Sequence, residues 1–316
     1  MWFSSAKELK SQGVLGMNSR NIEYIARHNP RHLYPLVDNK LNTKTAAINA
    51  GIRVPKLLGV VASNHELRNL ANLLEPLKKF VIKPTRGSGG KGILVISRRE
   101  FDFFVKTNGT KIKQKDIRRH VNNILSGLYS LGGKPDSAMI ETMVEYDSIF
   151  NDYTYEGVPD LRLIVYKGFP VMAMLRCSTH ASDGRANLHQ GAIGVGIDIY
   201  TGQSLFAVQH DKPILKHPDT AKNFEGLQIP HWHEILCLVA GCYEMTGLGY
   251  IGCDIVLDKT QGPMILELNA RPGLAIQLAS GIGLEKRLAS VDRLATEIKE
   301  LPADQRVLFV MENKLR

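Results

Sequence analysis

Tyr250-Ile251-Gly252-Cys253-Asp254-Ile255-Val256-Leu257-Asp258, then Lys259-Thr260-Gln261-Gly262-Pro263, then Met264-Ile265-Leu266-Glu267-Leu268-Asn269, reads as two strands joined by a turn. Alternation with a period of two puts Ile251, Cys253, Ile255 and Leu257 on one face, with Leu266 and Leu268 on the matching face of the second strand. The other face carries Asp254, Glu267 and Asn269. Symmetry about Thr260 and Gln261 sets Asp254 directly opposite Glu267, where facing like charges destabilise a sheet. A bound cation resolves the conflict, and two carboxylates with an amide oxygen form a hard, all-oxygen set suited to magnesium held jointly with phosphates. A register shifted by one or two residues, with the three side chains merely solvated, stays open.

An earlier hairpin, Leu161 to Arg176 around Lys167-Gly168, gives the same argument with the signs reversed. A centre near Phe169 sets Arg162 across from Arg176, and two facing guanidinium groups call for an anion such as phosphate or acyl-phosphate. Further upstream, Thr85-Arg86-Gly87-Ser88-Gly89-Gly90-Lys91-Gly92 matches GxGxxG. A dinucleotide fingerprint must open a helix, yet apolar β-formers follow, and the Walker A spacing fails as well. What remains is a glycine flap between Phe80-Val81-Ile82-Lys83 and Ile93-Leu94-Val95-Ile96. Its bare amides can approach phosphate oxygens, with Lys83 adding a point charge near the α/β-phosphates. A plain glycine hairpin beside a solvated lysine is the competing reading.

The rest of the 316-residue chain, 44% hydrophobic and 22% charged, is ordinary globular composition with room for two subdomains. Residues 1–39 read as an irregular or partly helical lead-in, and Lys40 to Ala50 as a helix stopped at Gly51. Residues 106–137 read as basic and turn-rich and 146–159 as a loop, with helical patterns near His233 to Met245 and Gly283 to Leu301. The mix is α+β, without repeats. Cys177, Cys237, Cys242 and Cys253 form no CxxC pair, which favours reduced, buried thiols. No apolar run approaches the roughly 18 residues of a membrane span, and no secretory h-region follows Lys7, Glu8 and Lys10, so a cytoplasmic protein is expected. The net charge of +9 suits nucleic acid or any phosphate-rich or acidic partner alike.

Taken in order, these motifs resemble the ATP-grasp superfamily, in particular its RimK-related α-L-glutamate ligase-like branch, from about Asp38 to Gly273. Lys40, at the family's spacing ahead of Gly51-Ile52-Arg53-Val54-Pro55, looks like the first ATP-binding lysine, and Lys83 in Val81-Ile82-Lys83-Pro84 like the second. Gly87, Ser88, Gly89, Gly90, Lys91 and Gly92 then resemble the flap. Ile140-Glu141-Thr142-Met143-Val144 is similar to the adenine-binding linker, implying that Glu141 and the backbone near Val144 read the base. Asp160-Leu161-Arg162 resembles the family's D-x-R strand. Arg176 with Asn187-Leu188-His189-Gln190-Gly191-Ala192 looks like the segment that meets phosphate and the reacting carboxylate. Asp254 with Glu267 and Asn269 looks like the metal-binding end. The resemblance implies an ATP-grasp fold of two α+β subdomains, residues 40–145 and 146–316, gripping ATP between antiparallel sheets. Only the lead-in, residues 1–39, stands where relatives carry a further substrate-binding α/β domain, so the N-terminal region is expected to be truncated.

It also implies an ATP-dependent carboxylate–amine ligase working through an acyl-phosphate, with two magnesium ions for which manganese can substitute. The substrates would be small-molecule or peptide carboxylates and amines, glutamate or another amino acid among them, with a protein partner able to supply the missing substrate surface. In that scheme Arg162, Arg176 and Asn187 are catalytic, Asn187 by orienting the substrate carboxylate. His189 is the candidate base, and Asp147 or Asp152 the candidate ribose contact. Two other readings remain: a phosphotransferase that stops at the phosphorylated product, and a non-enzymatic binder gripping nucleic acid or an acidic polymer through Lys111, Lys113, Lys115, Arg118 and Arg119. No aromatic residues interleave with that basic run, which disfavours nucleic acid.

Overall fold

A computed structural model describes residues 5–87, 89–297, 301–312 and 315. The chain divides into two compact units, Asn39–Lys44 with Val54–Glu145, and Met1–Asp38 with Thr45–Arg53 and Tyr146–Arg316.

The smaller unit is built on an antiparallel sheet of six strands: β1 (Leu57–Val61), β2 (Phe80–Pro84), β3 (Leu94–Glu100), β4 (Phe103–Lys106), β5 (Lys111–Lys113) and β6 (Ala138–Glu141). Their order across the sheet is β1-β6-β2-β3-β4-β5. Phe80 and Ile82 of β2 and Ala138 and Ile140 of β6 join a core with Leu67, Leu74, Ile117, Val121 and Ile124 from helices. Period two therefore turns Val81, Lys83, Met139 and Glu141 to the opposite face. The segment 106–137 is not merely turn-rich: Gln114–Leu125 is a helix, whose Ile117, Val121 and Ile124 at i, i+4 and i+7 are buried while its basic residues face outward.

The larger unit carries seven strands: β7 (Asp160–Tyr166), β8 (Phe169–Cys177), β9 (Ile193–Ile197), β10 (Ser204–Gln209), β11 (Lys212–Ile214), β12 (Tyr250–Asp258) and β13 (Gly262–Asn269), ordered β11-β10-β9-β8-β7-β12-β13. The expected hairpins are β7–β8 and β12–β13, and every residue of β12 is buried. The helix expected from Lys40 spans Lys40–Asn49, and the one near His233 is Trp232–Ala240, continued after Gly241 by Cys242–Thr246. The last expected helix runs Glu285–Glu297, and the Ile298–Glu300 part of that expectation lies outside the described residues. Cys177, Cys242 and Cys253 are buried and Cys237 half-buried, all as free thiols.

The lead-in is strapped to this sheet. Asn29, 2% exposed, donates from Nδ2 to the carbonyls of Tyr250 and Ala270 and accepts the Tyr250 amide on Oδ1 at 2.9 Å, so one side chain ties β12 to the end of β13. Tyr24 packs edge-on against Tyr166 at 5.4 Å and beside Tyr250 at 6.0 Å.

Asn29→Ala strands one buried amide and two carbonyls and is expected to destabilise the chain by about 2–4 kcal/mol in urea denaturation. Arg27→Ala, which breaks only the exposed pair with Glu23, should cost less than about 0.5 kcal/mol. Equal effects would contradict a strap.

Candidate functional site

In the larger unit, β12 and β13 pair Asp254 with Glu267 and Gly252 with Asn269, so the two carboxylates do face each other. The register arises differently from the symmetric hairpin: Asp258 pairs with Gly262 and Ile255 with Ile265, and a bulge at Leu266 restores the step. Period two from Asp254 carries the same face onto β7, where Arg162 lies directly opposite Asp254.

The facing-arginine expectation is overturned. On β8 the residue opposite Arg162 is Met174, and Arg176 pairs instead with Asp160. The tight Lys167-Gly168 turn and a bulge at Val171, beside a Pro170 that has no amide to donate, move the register away from a centre at Phe169. The anion that the guanidinium groups need is supplied from within the sheet. Arg162 holds Asp254 through Nε and through Nη2 at 2.7 Å. Arg176 holds Asp160 bidentately at 2.5 and 2.7 Å and reaches Asp254 with Nη2 at 2.9 Å. Counting Glu267, three carboxylates and two guanidinium groups form one array across β8, β7, β12 and β13.

Burial alone would raise the Asp254 carboxyl, but Arg162 and Arg176 outweigh it and hold it at about 2. At Asp160 burial wins over Arg176, helped by the charge of Asp254, and the carboxyl is pushed up to about 6. Burial opposes the charge on Arg176, yet Asp160 and Asp254 keep it well above the ordinary arginine value.

Among the described residues no three His, Cys, Asp or Glu side chains cluster as metal ligands. The expected set of Asp254, Glu267 and Asn269 is two carboxylates and an amide on facing strands, all oxygen, which fits a hard cation. Both oxygens of Asp254 are engaged by arginine, so a cation that takes this carboxylate does so in exchange for guanidinium contacts.

Asn187 caps the Leu188–Gln190 turn, accepting the His189 amide on Oδ1 at 3.1 Å. The turn is seated by Leu188, whose Cδ2 would lie 2.8 Å from a Cβ on Gly194, the residue paired with Arg176. Glycine at 194 thus lets the Asn187 segment approach the array. His189 is exposed. Asp147 caps its own turn at the Ile149 amide, and Asp152 lies 3.6 Å from Lys222.

In the smaller unit the flap lies between β2 and β3 as expected, with Gly89, Gly90 and Gly92 at φ of 62°, 74° and 77° and Lys91 exposed; Ser88 lies outside the described residues. Lys40 donates from Nζ to the Gly87 carbonyl at 2.7 Å and from its amide to Thr85 O at 2.9 Å. Asp136 accepts from Thr85 Oγ1, the Arg86 amide, Ser130 Oγ and the Ser137 amide, fixing the base of the loop. Glu141 bridges two lysines, Lys83 and Lys44, each at 2.6 Å. Val144 is half-buried in the segment after β6. Sequence reasoning passed over Lys44, Asp136 and the part played by Asp160. Lys44 could have been found, since it lies one helical turn from Lys40.

The family model for sugar-transfer associated ATP-grasp proteins matches residues 19–293. The chain belongs to this ATP-grasp family. A curated relative, a probable α-L-glutamate ligase of Aeromonas salmonicida, is 22% identical over 274 residues, covering 84% of this chain and 67% of that protein. Among solved structures, the ATP-grasp ligase PsnB complexed with a minimal precursor aligns at a TM-score of 0.45 and 14% identity, over 85% of this chain and 64% of that one. D-alanyl-alanine synthetase A of Vibrio cholerae aligns at 0.46 and 11%, over 90% and 66%. The chain thus spans about two thirds of the length of these proteins.

For this ATP-grasp chain, Arg176→Met leaves Asp160 buried without its guanidinium partner while Asp254 keeps Arg162. Asp160 already binds its proton more tightly folded than unfolded, so its ionisation takes stability away as pH rises from the unfolded value of 3.8 through about 6, and losing Arg176 pushes the carboxyl higher still. The substitution is expected to cost about 3–5 kcal/mol at pH 8, and clearly less at pH 5, where Asp160 is protonated. Urea midpoints at the two pH values check this; a loss independent of pH would contradict the pairing.

Proposed function

We propose that the chain is an ATP- and magnesium-dependent carboxylate–amine ligase that works through an acyl-phosphate. The observation that carries this reading is the array of Asp160, Arg162, Arg176, Asp254 and Glu267, in which Asp160 and Asp254 are buried and the others half-buried. Guanidinium groups and carboxylates held in one plane of side chains suit a reaction in which anionic charge is gathered, moved and released.

A substrate carboxylate oxygen attacks the γ-phosphorus of ATP, forming a C–O–P linkage and breaking the bond to the ADP oxygen. The amine then attacks the carbonyl carbon, phosphate leaves with the C–O bonding pair, and the nitrogen loses a proton. Lys40 and Lys83 bind phosphate oxygens as point charges, and the flap amides from Gly87 to Gly92 close around them and keep water out. Glu141 and the backbone at Val144 read the base. Asp254, Glu267 and Asn269 would hold magnesium, as two ions or with manganese in its place, and the metal would supply positive charge to offset that of the phosphates. Arg162 and Arg176, drawn from Asp254, steady the transferring phosphoryl group and the acyl-phosphate. Asn187 orients the carboxylate.

The curated relative's name makes glutamate the first carboxylate to test, and the family's description as sugar-transfer associated makes sugar derivatives, amino sugars among them, worth offering as acceptors. A protein partner can supply further substrate surface.

Purified protein offered ATP, magnesium and pools of amino acids, small carboxylates and amino sugars should release ADP and phosphate only with a productive pool. Asp254→Asn and Glu267→Gln should each lower that rate by about 100-fold or more. Hydroxylamine should trap a hydroxamate when the amine is omitted; a stable phosphorylated product that resists hydroxylamine would point to a phosphotransferase instead.

A further inference from the structure

Three ionisable groups lie together on the face of the smaller sheet turned away from its core. Val81 pairs with Glu141 across β2 and β6, so Lys83, two residues along, is the diagonal neighbour of Glu141 on one face. Lys83 Nζ meets Glu141 Oε2 at 2.6 Å, and Lys44 Nζ, from the helix Lys40–Asn49, meets Oε1 at 2.6 Å and also donates to the Pro55 carbonyl. The side chains of Lys44, Glu141 and Lys83 are 5%, 3% and 10% exposed. Among the described residues no second carboxylate pairs with either lysine.

Their charges do not cancel. Lys83 and Glu141 alone would be a closed, neutral pair, and a buried neutral pair offers an incoming phosphate little net attraction. With Lys44 added the cluster carries one positive charge in a place where water screens it poorly, and a buried surplus charge is costly until an anion arrives. Burial, with Lys83 beside it, lowers Lys44's affinity for its proton below the ordinary lysine value even against the Glu141 carboxylate, so the surplus charge is held at a cost.

We infer that Lys44 is a positioning residue for nucleotide binding: by sharing Glu141 it leaves Lys83 with charge to spend on a phosphate, so the net charge of the Lys44–Glu141–Lys83 cluster sets how strongly the site prefers a nucleotide over its nucleoside. The inference rests on the ATP reading above and assigns a role to a residue that need not touch ATP. Both the base-reading role of Glu141 and any general loss of fold cancel in the ratio of ATP to adenosine affinity, so that ratio is the quantity to measure.

Titration calorimetry of the full chain with magnesium-ATP and with adenosine, at low salt, separates the cases. Lys44→Met removes the surplus charge and should lower the ATP/adenosine affinity ratio about tenfold, whereas Lys44→Arg should preserve it. The double variant Lys44→Met, Glu141→Gln restores a net charge of one through Lys83 alone and should bring the ratio back to within about threefold of the unaltered chain. Glu141→Gln by itself, which serves if Lys44→Met does not fold, should raise the ratio. A merely structural Lys44 predicts the reverse pattern: no change of ratio in Lys44→Met, or no recovery in the double variant, and either result overturns the inference. ATP binding by the unaltered chain with an unchanged ratio in Lys44→Met would leave the ligase reading standing and remove this one, whereas no ATP binding at all would overturn both.

Discussion

A carboxylate buried within a sheet must find its counter-charge within about one strand spacing, because nothing farther away can replace the water it has lost. Asp254 meets that demand twice, through Arg162 directly across the ladder and Arg176 diagonally beyond it. Much of the larger unit is arranged around that requirement. The bulges in β7–β8 and β12–β13 bring Asp160, Arg162, Asp254 and Glu267 into line, Gly194 clears the space beside Arg176, and the lead-in covers the aromatic end of the same face. In the proposed reaction the array is a structural element and a reactive one at once. Its ions pair with one another, and each pairing that stabilises the fold is also one that a ligand must compete with.

The smaller unit handles charge differently. Its lysines and Glu141 lie behind strands β2 and β6, whose other face carries Phe80, Ile82, Ala138 and Ile140 into an apolar core, so the cluster cannot relax toward that core. The flap base is secured by Asp136, a single buried carboxylate satisfied by two hydroxyls and two amides, and by the Lys40 contact to Gly87. The tip carries no such ties at Gly89 and Gly90, where an added Cβ would meet nothing within 4 Å. A loop anchored at its root and open at its tip is the geometry a phosphate-covering segment requires.

Much of this was legible in the residues. Alternation in Tyr250–Asp258 and Gly262–Asn269 located the acidic face, and the β-branched run after Gly92 separated a strand–loop–strand flap from a helix-opening fingerprint. What alternation cannot reveal is a bulge, since an extra residue at Leu266 or Val171 changes the register without disturbing the pattern on either side. Symmetry about Thr260 and Gln261 therefore matches Asp254 with Glu267 from a turn half a residue away, whereas symmetry about Phe169 sets Arg162 opposite Arg176 when each in fact faces something else. The helix Gln114–Leu125 did leave a signal in Ile117, Val121 and Ile124, hidden among lysines and arginines. Strand β9 left almost none, because Gly194 and Gly196 occupy positions where strand-forming side chains would have marked it.

The clamp at Asn29 has a consequence for how the chain is made. Its partners, Tyr250 and Ala270, lie 221 and 241 residues farther along. At translation speeds of about 5–20 residues per second, Asn29 is synthesised some 10–50 s before either strand exists to receive it. For that interval the aromatic and apolar side chains around Tyr24 and Ile25 are without their docking surface, and the contact they await is among the most non-local in the molecule. Strands β12 and β13 thus close on a segment made more than 200 residues earlier, which makes Asn29 and its neighbours a late-docking piece of this unit.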